Sequence, residues 1–174
     1  LIQREQYLDF LRRHKDQDVI KVVSGVRRCG KSTLFELFKQ DLLASGIKAN
    51  QIISINFEDL EYEPLQEYHA LHKYIVERLL PDTPMYVFLD EVQHVVQFEK
   101  VVGSLFVKPN VDIYITGSNA YFMSSDIATL LTGRYVEIQM LPLSFAEFYY
   151  SKYEEQQYSL IPAYEAYLRE SSFP

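Results

Sequence analysis

The sequence predicts an α/β protein, a parallel sheet covered by helices on both faces, and three observations carry that prediction. Five short runs rich in Val, Ile, Tyr and Phe alternate with longer stretches of helical periodicity, the pattern of strand–helix–strand units. The runs are apolar nearly throughout, as strands buried on both faces are. Gly46, Pro81, Pro84 and Pro109 stand at the joins, where the chain has to turn.

The elements follow in order. A helix is expected over 3–15. The first strand, VIKVVSG (19–25), runs through a short turn into a helix over 31–45, where Leu34, Leu37, Phe38 and Leu42 recur at helical spacing. IISINF (52–57) is the second strand, with a helix over 65–80 after it; MYVFLD (85–90) is the third, with a helix over 98–107. VDIYITG (111–117) and YVEIQM (135–140) complete the strands, followed by helices over 120–132 and 144–158. The chain thus divides into an N-terminal helix at 1–18 packing on a core at 19–143, and a C-terminal helical segment at 144–174. In such sheets ligands bind beyond the carboxyl ends of the strands, so chemistry is expected there.

Composition bounds the rest. At 174 residues and 48% hydrophobic, the chain holds one domain with an ample core. No apolar run approaches the ~18 residues of a membrane span, and the acidic opening LIQREQYLDF is not expected to be a signal peptide. The first residue is Leu1, so a piece of a longer protein is expected. One cysteine leaves no internal disulfide and fits a reducing, cytoplasmic setting. Net charge is −7, yet residues 1–40 carry nine Lys/Arg against five Asp/Glu. The acidic majority in residues 41–174, eight Lys/Arg against nineteen Asp/Glu, argues against a surface wrapping nucleic acid, and the local basic excess argues for one anionic ligand near the N-terminal third. The cluster Arg12, Arg13, His14, Lys15 reads as a solvated helix face. His69 and His72 lack metal-ligand spacing, and no zinc is expected.

The anion site has a sequence. Gly25-Val26-Arg27-Arg28-Cys29-Gly30-Lys31-Ser32-Thr33 matches G-x-x-x-x-G-K-[ST] between a strand and a helix. Loop amides and the free amides of the helix start converge on polyphosphate oxygens. Lys31 puts a cation on the β and γ phosphates, Ser32 a hydroxyl on Mg²⁺, and Thr33 reaches the α phosphate. Gly25 and Gly30 permit angles or approaches that a Cβ blocks. Arg27 and Arg28 either add charge near the triphosphate or pair with acids elsewhere. Cys29 is a small residue that fits, but beside cations and a helix start its thiol pKa is expected to fall, and its alkylation to block binding.

The third strand ends in Asp90-Glu91. Adjacent strand residues face opposite sides, so Asp90 can hold Mg²⁺ while Glu91 deprotonates an attacking water. At the end of the fourth strand, Ser118 and Asn119 are candidate γ-phosphate sensors with Thr116 behind them; the alternative is a turn and helix N-cap. Asn56 could hydrogen-bond Glu91 and hold it inactive. Arg134 could reach a γ-phosphate, its own or a neighbour's, or serve in a surface ion pair.

The segments GVRRCGKSTL, INFED, FLDEVQ, ITGSN, LTGRY and PLSFAEF, in that order from about 19 to 148, resemble those of the AAA-superfamily predicted ATPases of bacteria and archaea. The resemblance implies a P-loop NTPase core of three α/β/α layers, strand order 5-1-4-3-2, ATP as nucleotide and Mg²⁺ as metal. It also implies that Gln93 and Arg134 belong to the site region, and that the family continues into a lid and a second, C-terminal domain. Phe98 stands where the family usually has Trp. The expected activity is hydrolysis of ATP to ADP and phosphate, driving change in an attached domain. The alternative is a nucleotide-gated switch with little turnover, acting on protein or nucleic acid through the remaining part. A phosphotransferase reading lacks an acceptor pocket. The last 30 residues are tyrosine-rich, and that stripe is expected in the core.

Overall fold

The computed structural model describes residues 4–118, 122, 133–153 and 159–170. Its sheet has five parallel strands: β1 Ile20–Gly25, β2 Ile52–Asn56, β3 Met85–Asp90, β4 Val111–Gly117 and β5 Tyr135–Met140. Their order is β2-β3-β4-β1-β5, the expected order read from the other edge. The helices are α1 Glu5–His14, α2 Lys31–Ala44, α3 Tyr68–Val76, α4 Phe98–Phe106, α5 Phe145–Tyr153 and α6 Leu160–Glu170.

The period-2 alternation of each strand sorts its side chains into two cores. Val22, Val87, Leu89, Ile113 and Ile115 meet α3 and α4 through Leu71, Ile75, Phe98 and Val102. Val23, Tyr86, Phe88 and Tyr114 meet α1 and α2 on the other face, through Leu11, Phe35, Phe38 and Leu42. Phe88 anchors that second core. Its ring stacks on Tyr114 at 4.7 Å and takes Phe35 edge-on at 5.1 Å, geometries worth roughly 0.5–1.5 kcal/mol per pair beyond burial.

Three expectations change. The helix expected over 65–80 is a 3₁₀ segment, Leu60–Gln66, followed by the shorter α3. Glu67 caps the later start by accepting from the His69 and Ala70 amides. α6 is a second helix within the C-terminal helical segment, beyond the helix expected over 144–158, with Pro162 tolerated in its first turn. Among the described tyrosines of the stripe, Tyr150 and Tyr164 are exposed rather than core, Tyr149 and Tyr167 are half-buried, and Phe145, Phe148, Tyr164 and Tyr167 cluster where α5 meets α6. The helix expected over 120–132 lies outside the described residues apart from Phe122. No helix among the described residues is long and apolar enough to cross a membrane.

The basic cluster at the end of α1 is exposed at Arg12 and Arg13, as expected, and is paired there. Arg12 pairs with Glu5, Asp9 and Asp41, and these carboxylates, Asp41 first, hold its pKa above the ordinary arginine value. His72 is half-buried, its Nε2 2.9 Å from the Ser104 hydroxyl of α4.

Candidate functional site

The segment 25–33 forms the turn between β1 and α2. Gly25 needs its missing side chain for closeness: a Cβ would stand 2.5 Å from the Met140 carbonyl and 2.7 Å from the Cys29 sulfur. Gly30 needs it for conformation, with φ of 99° at the N-cap of α2. Such a position usually carries Ser, Thr, Asp or Asn; here no side chain caps α2, so its first amides are left to a ligand. Arg28 also takes a left-handed conformation, φ 65°. The turn frames a cavity of about 500 Å³ lined by Arg27, Arg28, Gly30, Lys31, Ser32, Thr33, Glu58 and Glu91. Val26 is exposed at its rim and offers its carbonyl to Lys31.

Lys31 is buried. Its ammonium donates to the Gly25 and Val26 carbonyls at 3.2 and 3.1 Å and pairs with Glu91 Oε1 at 3.0 Å. Asp90 closes β3 beneath it. Burial pushes the Asp90 carboxyl above its ordinary value, against hydrogen bonds from the Ser32 and Thr116 hydroxyls. Asp90 and Ser32, one hydrogen bond apart, are a hard-oxygen pair of the kind Mg²⁺ takes, so these residues fit that metal.

Glu91 is placed differently from the expectation. β3 stops at Asp90, and Glu91 turns into the left-handed region at φ 59°, ψ 52°. Strand alternation therefore does not separate the two carboxylates; a strained residue at the strand end does. Thr116 holds the turn, accepting from the Glu91 amide at 2.9 Å and donating to Asp90. Glu91 is 7% exposed and keeps two partners, Lys31 and the Gln93 amide at 2.5 Å. Asn56 does not hold it: the Asn56 side-chain oxygen Oδ1 accepts instead from the Glu58 backbone amide at 3.0 Å.

The remaining candidates divide. Ser118 sits half-buried just beyond β4, its carbonyl accepting from the Phe122 amide at 3.3 Å, as a helix start would. Asn119 lies outside the described residues. Arg27 pairs with Glu58 at 2.8 Å rather than standing free over the cavity. Cys29 is buried, and burial pushes its thiol pKa up despite Lys31 and Arg4 nearby; the expected fall does not occur, because desolvation outweighs the cations. Arg134 lies at the opposite edge of the sheet. Its carbonyl accepts from Ile20, the first residue of β1, and its guanidinium lies 5.8 Å from the Phe106 ring centre. The six residues of β1 put about 20 Å between it and its own loop, so the reading in which it serves its own γ-phosphate does not survive.

Two constellations gave no usable signal in the sequence. Arg4, 8% exposed, straps the turn to its surroundings, donating to the Cys29, Leu141 and Pro142 carbonyls and pairing with Glu147 at 2.8 Å. Lys21, inside β1, is fully buried against Asp112, which also accepts from the Tyr114 hydroxyl at 2.7 Å. A lysine in one strand and an aspartate in another hint at pairing only once the strand order puts β1 beside β4.

The profile of the AAA-domain family matches residues 17–149. An uncharacterized protein of Haemophilus influenzae is 42% identical over 176 residues, covering 100% of this chain and 44% of its own length. An uncharacterized protein of Methanocaldococcus jannaschii is 37% identical over 132 residues, 74% of this chain and 28% of its own. The chain thus spans less than half the length of these relatives. Among solved structures, Cdc6p from Pyrobaculum aerophilum aligns with a TM-score of 0.58 at 12% identity, over 84% of this chain and 47% of that one. A DNA polymerase III gamma subunit-related protein from Thermotoga maritima aligns at 0.55 and 16% identity, over 92% and 58%. At those identities the likeness is one of fold.

Proposed function

This chain belongs to the AAA-domain family, and from that premise we propose that it binds ATP with Mg²⁺ at the 25–33 turn and hydrolyses it to ADP and phosphate. The observation that carries the reading is the buried Lys31–Glu91 pair at 3.0 Å, set at the mouth of an uncapped helix start beside Asp90 and Ser32. Loop amides from Val26 to Thr33 take the phosphate oxygens, and Lys31 leaves Glu91 to bind the β and γ phosphates. Ser32 and Asp90 would hold Mg²⁺, which when bound neutralises charge on the phosphate oxygens. Glu91, freed from the lysine, takes the proton of the attacking water. Ser118, at the end of β4, and Asn119 next to it in the sequence would sense the γ-phosphate. Arg134, far from its own loop, reaches the γ-phosphate of a neighbouring copy. An arginine so supplied is worth ~10³–10⁵ in rate, or about 4–7 kcal/mol of barrier.

A second reading has its own observation. With Arg134 far from its own loop and Glu91 tied to Lys31, a single copy turns over slowly and acts as a nucleotide-gated switch until a partner completes the site. In either case the core at 19–143 transmits nucleotide state to the further chain that the longer relatives carry, in a cytoplasmic protein. Phosphate release decides between them. Glu91→Gln retains ATP and loses release if the chain is a hydrolase; tight ATP with no turnover in the wild type favours the switch. Binding that survives Lys31→Ala refutes both.

A further inference from the structure

We propose that Gln93 is the positioning residue for Glu91: it holds the carboxylate in place once Lys31 has left it for phosphate. The inference rests on the reading of Glu91 as the base. The two partners of Glu91 differ in kind. Lys31 grips Oε1 at 3.0 Å but also bonds two loop carbonyls and is the cation a triphosphate draws away. Gln93 Nε2 grips Oε2 at 2.5 Å and has no such rival ligand. Its backbone is fixed in the 3₁₀ turn Val92–His94 that begins at the left-handed Glu91.

The far side of the amide shows what this contact is for. Gln93 Oε1 is buried and accepts no hydrogen bond among the described residues, which a buried acceptor does only at a cost. It lies against Gly117, where a Cβ would come within 2.7 Å of it and within 2.8 Å of the Phe122 ring. The amide therefore keeps its donor on Glu91 at the expense of its own acceptor, because turning it over would set oxygen against carboxylate oxygen. The end of β4 forms the wall behind it. A shift of Gly117 and Ser118 on sensing phosphate would pass through the Gln93 amide to Glu91.

The test uses Gln93→Leu, which keeps bulk, and Gln93→Glu, which keeps shape but loses the donor. Both are expected to lower kcat about 10²-fold, the effect of a misplacement near 1 Å. Affinity for MgAMP-PNP, measured by calorimetry, should stay within threefold of wild type. Gly117→Ala, pushing the amide from behind, should reproduce the split. In the wild type the Gln93 side-chain amide NMR signal, assigned by its loss in Gln93→Leu, should stay displaced from that of free glutamine after saturation with MgAMP-PNP. Wild-type kcat in Gln93→Leu while Glu91→Gln is inactive overturns the proposal. So does an affinity loss matching the kcat loss, or collapse of the amide signal to the free value on saturation. Where the chain binds without turning over, the amide signal decides alone. A Glu91→Gln variant as active as wild type, or a chain without affinity for MgATP, fells the underlying reading of Glu91 instead, and this inference with it.

Discussion

Replacing Glu91 by Gln should tighten nucleotide binding as well as stop hydrolysis, and the size of the effect follows from the site before nucleotide arrives. Lys31 and Glu91 stand 3.0 Å apart, their side chains 3% and 9% exposed. Unit charges at that separation attract by about 5–6 kcal/mol at an effective dielectric of about 20. A triphosphate must draw Lys31 out of this pair, and it approaches with Glu91 still charged. Most of the lost attraction returns through the phosphate oxygens, which leaves roughly 1–2 kcal/mol opposing binding in the wild type. Glu91→Gln removes that opposition. Lys31 keeps its bonds to the Gly25 and Val26 carbonyls, so the turn should hold its shape. MgAMP-PNP is therefore expected to bind about 5–30-fold more tightly to the variant. Titration calorimetry on both proteins measures this directly, without interference from turnover. Equal or weaker binding by Glu91→Gln would refute the idea that the pair competes with phosphate for the lysine.

Gly25→Ala should disturb the turn from within: with a Cβ only 2.5 Å from the Met140 carbonyl, a loss of about 1–3 kcal/mol in urea unfolding is expected, with weakened MgATP binding. Lys21→Met leaves Asp112 buried without its cation and should cost about 3–5 kcal/mol, toward the low end because Tyr114 and the Asp16 amide still bond Asp112. Lys21→Met with Asp112→Leu should recover most of that loss in the same melt. Burial alone would raise the Glu147 carboxyl, but the Ser144 and Arg4 hydrogen bonds outweigh it and hold its pKa below the ordinary 4.5. A depressed folded pKa contributes stability in full above that value and loses it as pH falls below. The Tm gap between wild type and Glu147→Gln should therefore close on acidification from pH 6 to pH 3. Arg134→Ala should lower phosphate release while leaving MgAMP-PNP affinity unchanged, and the wild type's specific activity should rise with protein concentration; activity independent of concentration would count against service to a neighbour.

The sheet and the phosphate turn were legible in the sequence because both rest on local rules. Short, nearly continuous apolar runs mark β1, β3 and β4 as strands buried on both faces, and the spacing of Gly25, Gly30 and Lys31 obeys the steric needs of one turn. Contacts between distant segments were not legible. That Arg4 would strap the Cys29 carbonyl, or that Lys21 would meet Asp112, depends on which strands and helices become neighbours. The same holds for two of the corrections at the site. Asn56 and Gln93 are both amides near Glu91, and only the left-handed turn at Glu91 decides that Gln93 reaches it. Arg134 lies close to the site by motif, yet parallel pairing puts the start of β5 beside the start of β1 and carries it to the far edge. Sequence alone determined which groups could do chemistry, since their types and local spacing follow from the chain's own geometry. Tertiary structure alone decided which of them face one another, because burial and strand order are properties of the whole sheet.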